Sequence, residues 1–204
     1  MRVLIVAKTH MVGKFCVGAL AKDTNKNIRL MKPGCKNQPI TTKYEVGQVW
    51  DMDFSPSQEE KFPPHVEDVI VYHSEYLGRA RDLKQTLQNR VQISSGGPDT
   101  LFHGMLNRSR GGSLYISEKN GIPEQSVAFW QPDEELILYT NARGRTRYSL
   151  KSHEMNLSYV GVADSIPEIP AGALLRVSLC RWWHPHDEPD AEKRCYLQLS
   201  GWFL

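Results

Sequence analysis

Apolar and polar positions alternate along most of the chain, and a period of two is the period of strands. Arg2 to Thr9 opens with a continuous apolar run of the buried-strand type. Lys14 to Lys22 predicts a second strand, with a polar turn from His10 to Gly13 before it. Asn27 to Lys32 predicts a third, with Ile28 and Leu30 on one face and Arg29 and Met31 on the other. Gln48 to Phe54 alternates Val49, Asp51 and Asp53 against Trp50, Met52 and Phe54, and His65 to Ser74 closes the set. Five strands in about seventy residues, with no helix between them, predict a small barrel or sandwich.

The period then changes. Ala80 to Gln92 places Leu83, Leu87 and Val91 four residues apart, the stripe of an amphipathic helix. Ser94 to Pro98 (SSGGP) reads as a lobe boundary, and Asp99 as the cap of a short helix over Thr100 to Leu106. Strands return from Ser113 in SLYISEK, SVAFWQP, ELILYTNA and RTRYSLKS, followed by an extended piece from Asn156 to Val162. Leu174 to Leu204 reads as a long closing hairpin. Its first strand runs into Trp182 and Trp183, its tip spans His184 to Lys193, and its second strand spans Cys195 to Phe203. The expected organisation is a mainly β chain in two lobes. Residues 1–93 form the first, with its trailing helix, and residues 94–204 the second, with one or two short helices at the junction. No internal repeat is visible.

Composition adds limits. The chain has 204 residues, 40% hydrophobic and 24% charged, with a net charge of +2. Such a balance does not require a nucleic-acid partner, but it permits a local basic patch. No apolar run approaches the length of a membrane span, so no membrane partner is expected. The first residues read as a strand rather than an export signal. Cys16, Cys35, Cys180 and Cys195 are widely spaced with no CxxC, which predicts reduced thiols in a cytoplasmic protein. The chain carries no Walker loop, dinucleotide fingerprint, GxSxG or HExxH, so no cofactor and no catalytic residue is assigned.

Four groups of residues carry candidate chemistry. In NARGRTRYSLK, Arg143, Arg145 and Arg147 are two residues apart, with Tyr148 and Lys151 beside them. On a strand the three guanidinium groups would share one face and form a phosphate-binding row. The alternative is a turn at Gly144, with the arginines in solvent or paired with Glu134 and Glu135. Arg108 and Arg110, before Gly111 and Gly112, are a weaker version of the same pattern. Trp182 and Trp183 must face opposite ways on a strand, so one ring is left to stack a base beside Arg176 or Arg181, or to close a seam. Cys180, His184, His186 and Cys195 bracket the hairpin tip and offer zinc-type donors, at a spacing that matches no short zinc pattern. His65, Glu67 and Asp68 offer an acid–base or magnesium kit without a second carboxylate cluster.

Several stretches resemble one family. They are Tyr44-Glu-Val-Gly-Gln-Val-Trp50, Pro63-Pro-His-Val-Glu-Asp-Val69, Arg176 to Trp183, and Arg194 to Phe203. Together they are similar to the dual OB-containing domain of prokaryotes. The resemblance covers nearly the whole chain. It implies two OB-like barrels in one unit, nucleic-acid or nucleotide recognition, and a setting near prokaryotic conflict and defence systems. The expected partners are nucleic acid, single-stranded in the first reading, and other components of a defence system. The alternatives are a protein-interaction scaffold and a metal-dependent nucleic-acid-processing enzyme built on His65, Glu67 and Asp68.

Overall fold

The computed structural model describes residues 1–57, 63–150, 152–184 and 190–204. The chain divides into two compact units, Met1–Val91 and Gln92–Leu204.

The first unit is built from β1 (Arg2–Met11), β2 (Lys14–Ala21), β3 (Lys26–Met31), β4 (Gln38–Pro39), β5 (Gln48–Pro56) and β6 (Asp68–Arg79). Its neighbours run β1-β5-β6-β3-β2, and β1 also pairs with β2. Five strands thus close on themselves, and the short β4 pairs with β2 outside the ring. All pairings are antiparallel except β3 with β6. This is the connectivity of an OB barrel. Closure explains why the alternation was legible. Val3, Ile5, Val17, Ala19, Ile28 and Leu30 share one core with Trp50, Met52 and Val69.

The parallel β3–β6 seam is fixed by a side-chain clamp. Arg29 lies opposite Asp68, and its Nη2 donates to Asp68 Oδ2 at 2.5 Å while its Nε donates to Oδ1. Both side chains are mostly buried, at 20% and 17% exposure. Burial works against the Arg29 charge, but the hydrogen bonds and charge of Asp68 outweigh it and hold the guanidinium pKa above its usual value. Asp82, not an earlier residue, caps α1 (Leu83–Gln88) by accepting from the Gln85 N–H at 2.8 Å. The helix is therefore about half the expected length. Of the apolar stripe only Leu87 is fully buried.

The second unit contains β7 (Ile93–Ser95), a 3-10 segment (Pro98–Gly104), β8 (Asn107–Arg108), β9 (Leu114–Ser117), β10 (Val127–Gln131), β11 (Leu136–Thr140), β12 (Thr146–Leu150), β13 (Met155–Tyr159), β14 (Glu168–Ile169), β15 (Leu174–Leu179) and β16 (Arg194–Phe203). Its sheet runs β14-β11-β12-β13-β16-β15-β10-β7, with the β8–β9 hairpin attached to β16. Its ends do not pair, so the expected second barrel is corrected to an open, mixed sheet among the described residues. The reason lies in β16. Its first residues pair with β9 and its middle with β13, on the edge opposite β15. One long strand therefore serves two partners and branches the sheet instead of closing it. The core joins Trp130, Tyr148, Leu157, Leu175, Val177 and Leu199.

Two local expectations also change. Ser94 and Ser95 belong to β7, parallel to β10, so the SSGGP loop begins only at Gly96. The short helix begins from Gly97, and no side chain caps it. Leu101, Phe102 and His103 leave helical geometry inside it.

Candidate nucleic-acid interface

The expected arginine row does not form. β12 begins at Thr146, so only Arg147 lies on it. Asn141 to Gly144 make a tight turn instead, with the Gly144 N–H donating to Asn141 O at 2.9 Å and Gly144 at φ +70°. The Asn141 side chain accepts from the Arg143 and Arg145 N–H groups, both at 3.0 Å, and competes with strand pairing there. Arg143 and Arg145 project from this turn and are exposed. Arg147 points to neutral partners, donating to Ser113 Oγ at 2.8 Å and to Asn156 Oδ1. Glu134 does not pair with these arginines. It accepts from the Ser152 N–H at 3.3 Å.

Tyr148 and Arg176 are removed from any surface. Tyr148 is fully buried, and its hydroxyl donates to Ile166 O at 2.8 Å. Arg176 is 5% exposed, inside the sheet between Phe129 and Gly201. Neither can contact a phosphate or stack a base. Lys151 and His186 lie outside the described residues.

The closing hairpin shows a different arrangement. β15 ends at Leu179, where Leu197 is its partner. Cys180 then donates its N–H to Tyr196 O at 2.8 Å, and its Sγ accepts from the Tyr196 N–H at 3.1 Å. The next bridge joins Trp183 to Arg194, where unbroken pairing would place Trp182. One extra residue has entered the first strand. Such a bulge reverses the side-chain parity beyond it. Trp182 consequently packs against the core, and Trp183 is 48% exposed on the face that carries Arg194 and Tyr196. Arg181 is exposed beside them.

β9 extends that face. Tyr115 lies directly opposite Tyr196. The ring centroids of Trp183 and Tyr196 are 6.3 Å apart, and those of Tyr196 and Tyr115 are 5.7 Å apart. The Arg194 guanidinium sits 4.3 Å from the Tyr115 ring centre. Arg194 donates from Nε to Glu192 at 2.9 Å. Its pKa is raised, first by its hydrogen bond to the Tyr196 side chain and then by Glu192. Three aromatic side chains in successive tilted contacts, at 56° and 49°, with a guanidinium over Tyr115, form a partly exposed aromatic surface. Tyr115, Tyr196 and Arg194 were not predicted as site residues, and Tyr196 was expected with Trp202 in the core or a seam. The local signal of Tyr115 and Arg194 was only a Tyr in LYIS and an Arg at a strand start, because the β9–β16 pairing joins residues about eighty apart in sequence.

The β8–β9 hairpin continues from this surface. Asn107 lies opposite Tyr115. The turn beyond it borders an open cleft of about 550 Å³ lined by Arg108, Ser109, Arg110, Gly111, Gly112 and Glu154.

The other candidate sets do not assemble. Among the described residues no three metal-capable side chains converge. Burial raises the pKa of both Cys180 and Cys195 above the usual thiol value, and His186 of that set lies outside the described residues. Asp68 is taken by Arg29, and His65 is buried at 4% exposure. That segment closes a barrel and presents no open acid–base pair.

No helix among the described residues is long and apolar enough to cross a membrane. No curated protein and no solved structure matches the chain. A family description, the dual OB-containing domain, matches it over residues 1–202. With a closed OB-type barrel in its first unit and a match spanning almost every residue, the chain belongs to the dual OB-containing domain family.

Proposed function

We propose that this protein is a non-catalytic module that recognises single-stranded nucleic acid through its second unit. The observation that carries the reading is the line of Trp183, Tyr196 and Tyr115 with Arg194 over the last ring. Bases stack on exposed aromatic faces without regard to sequence. Duplex DNA keeps its bases stacked and offers no free faces, so the surface suits unpaired strands. Exposed Arg143, Arg145 and Arg181 add positive charge on the same unit. The family's setting near prokaryotic defence systems extends this proposal and rests on the resemblance, and a cytoplasmic location extends it from the widely spaced cysteines.

The test is fluorescence anisotropy with a labelled single-stranded oligonucleotide across a salt series. Stacking is worth about 1–3 kcal/mol per base, so Trp183→Ala should weaken binding roughly 5- to 150-fold. Absence of binding by the unaltered protein at low salt would overturn the reading. Binding that Trp183→Ala and Tyr196→Ala leave unchanged would move it to another surface.

A further inference from the structure

The turn between β8 and β9 is held more tightly than its glycines suggest. Ser109 N–H donates to Ser113 O at 2.9 Å, Gly112 N–H to Ser109 O at 3.0 Å, and Ser113 N–H to Ser109 Oγ at 3.1 Å. Asn156 then fastens the turn to β13. Its N–H donates to Gly112 O at 2.9 Å and its Nδ2 to Gly111 O at 2.7 Å. Gly112 has φ +78°, and a Cβ there would lie 2.8 Å from both Asn156 Nδ2 and Glu154 O. The backbone is thus fixed before any ligand arrives.

This bonding is lopsided. The carbonyls of Ser109, Gly111, Gly112 and Ser113 are all occupied. The N–H groups of Arg110 and Gly111 have no acceptor among the described residues. What the turn offers outward is donors. The charges agree. Arg110 is exposed, without a partner among the described residues. Arg108 donates to His153 O at 2.8 Å and meets Glu154 only at 3.5 Å, with that carboxylate side chain 82% exposed. Exposed pairs of this kind neutralise little. Behind the turn, Arg147 touches only neutral oxygens, and its buried Nε has no acceptor. Two guanidinium groups therefore line the cleft with one weak counter-charge, and a third, that of Arg147, bonds Ser113 and Asn156, which hold the turn.

We propose that the Arg108–Ser113 turn is a phosphate-binding site. A carboxylate has two oxygens, enough for one guanidinium fork. A phosphate group presents more acceptor oxygens and can take the two peptide N–H groups and Arg110 together. Tyr115 follows Ser113 by two residues on the same hairpin, about 7 Å of strand, so the turn adjoins the Tyr115 end of the stacking surface. The phosphate is accordingly that of a nucleic acid or nucleotide, which rests on the recognition reading above. Its source is either a backbone diester or a terminal monoester.

Amide NMR of the full chain, titrated with inorganic phosphate against chloride at equal ionic strength, reads the site directly. The Arg110 and Gly111 amides should shift saturably, and Arg110→Gln should weaken the apparent affinity at least fivefold with the rest of the spectrum in place. No saturable shift at these amides overturns the proposal, whether or not oligonucleotides bind. If the shifts persist while no strand binds, the phosphate site stands and the recognition reading fails. Anisotropy then assigns the source. With a single strand lacking terminal phosphates, Arg110→Gln should lower the slope of log K against log salt by about 0.7, one contact. A loss confined to 5′-phosphorylated strands and nucleoside monophosphates assigns the turn to a terminal phosphate. Unchanged binding to every nucleic acid, with a phosphopeptide bound instead, overturns the assignment.

Discussion

Gly112 and Tyr159 show how single residues set the local geometry around the second unit's surface. The left-handed backbone at Gly112 and the absence of space for a Cβ act together. Alanine there should cost about 1–3 kcal/mol in strain and displaced neighbours. The urea midpoint of Gly112→Ala should fall, whereas Gly111→Ala, whose Cβ would meet nothing within 4 Å, should leave it nearly unchanged. Tyr159 acts through its proton. Its hydroxyl donates to Ala163 O at 2.7 Å. Burial first, and the neighbouring Tyr148 and Asp164 next, push its pKa from 10.0 up to about 12. The unfolded chain therefore releases this proton first. Its contribution to stability is intact below pH 10 and is lost as pH rises toward 12. The advantage of the unaltered protein over Tyr159→Phe, followed by urea unfolding at fixed temperature, should shrink across that window. A constant gap between the two would argue against the assignment.

At the scale of elements, the strands were legible where both neighbours in the sheet reward alternation, and obscure where a partner intrudes. β1, β2, β3 and β5 fall close to the expected spans because barrel closure puts one parity of each in a shared core, and in β1 and β2 the other parity is largely buried as well. The closing hairpin was expected as one uninterrupted strand through Trp183. Its bulge depends on Cys180 accepting the Tyr196 N–H, a cross-strand bond with no local signature. The arginine row failed for a related reason, since Asn141 offers its side chain to two backbone N–H groups and makes a turn. β4, β7, β8 and β14 have two or three residues each, too few for a period to register. The bulge has a measurable consequence. Trp183 is the tryptophan with the most exposed side chain, so Trp183→Phe should remove the emission most readily quenched by acrylamide. The Arg29–Asp68 clamp is likewise an element-scale feature, because it joins the two strands that close the barrel. Asp68→Asn should lower stability by about 1.5–3 kcal/mol in urea titration, the usual worth of hydrogen bonds to a charged group. A negligible change would mean that the β3–β6 seam is held by its backbone alone.

For the whole molecule, the decisive fact is that the two cores do not share residues. The first draws on Val3 through Val71, and the second on Leu101 through Trp202. Each unit also manages its sheet edges by itself. The first removes them by closing the ring through β1 and β2. The second leaves its sheet open, but the strands at its two ends have only two and three residues. Short terminal strands offer little template for pairing with another chain. A domain of about ninety residues is large enough to bury a cooperative core. Residues 1–91 and 92–204, produced separately, should therefore each unfold in a single cooperative transition by circular dichroism. The second fragment should stay monomeric in sedimentation and retain the oligonucleotide affinity of the full chain within about threefold, since its rings and arginines all lie beyond residue 92. If the first fragment melts without a transition, the barrel depends on the rest of the chain. If the second fragment folds but loses binding, the first barrel supplies part of the interface, and the stacking line on β9 and β16 is only one portion of a larger surface.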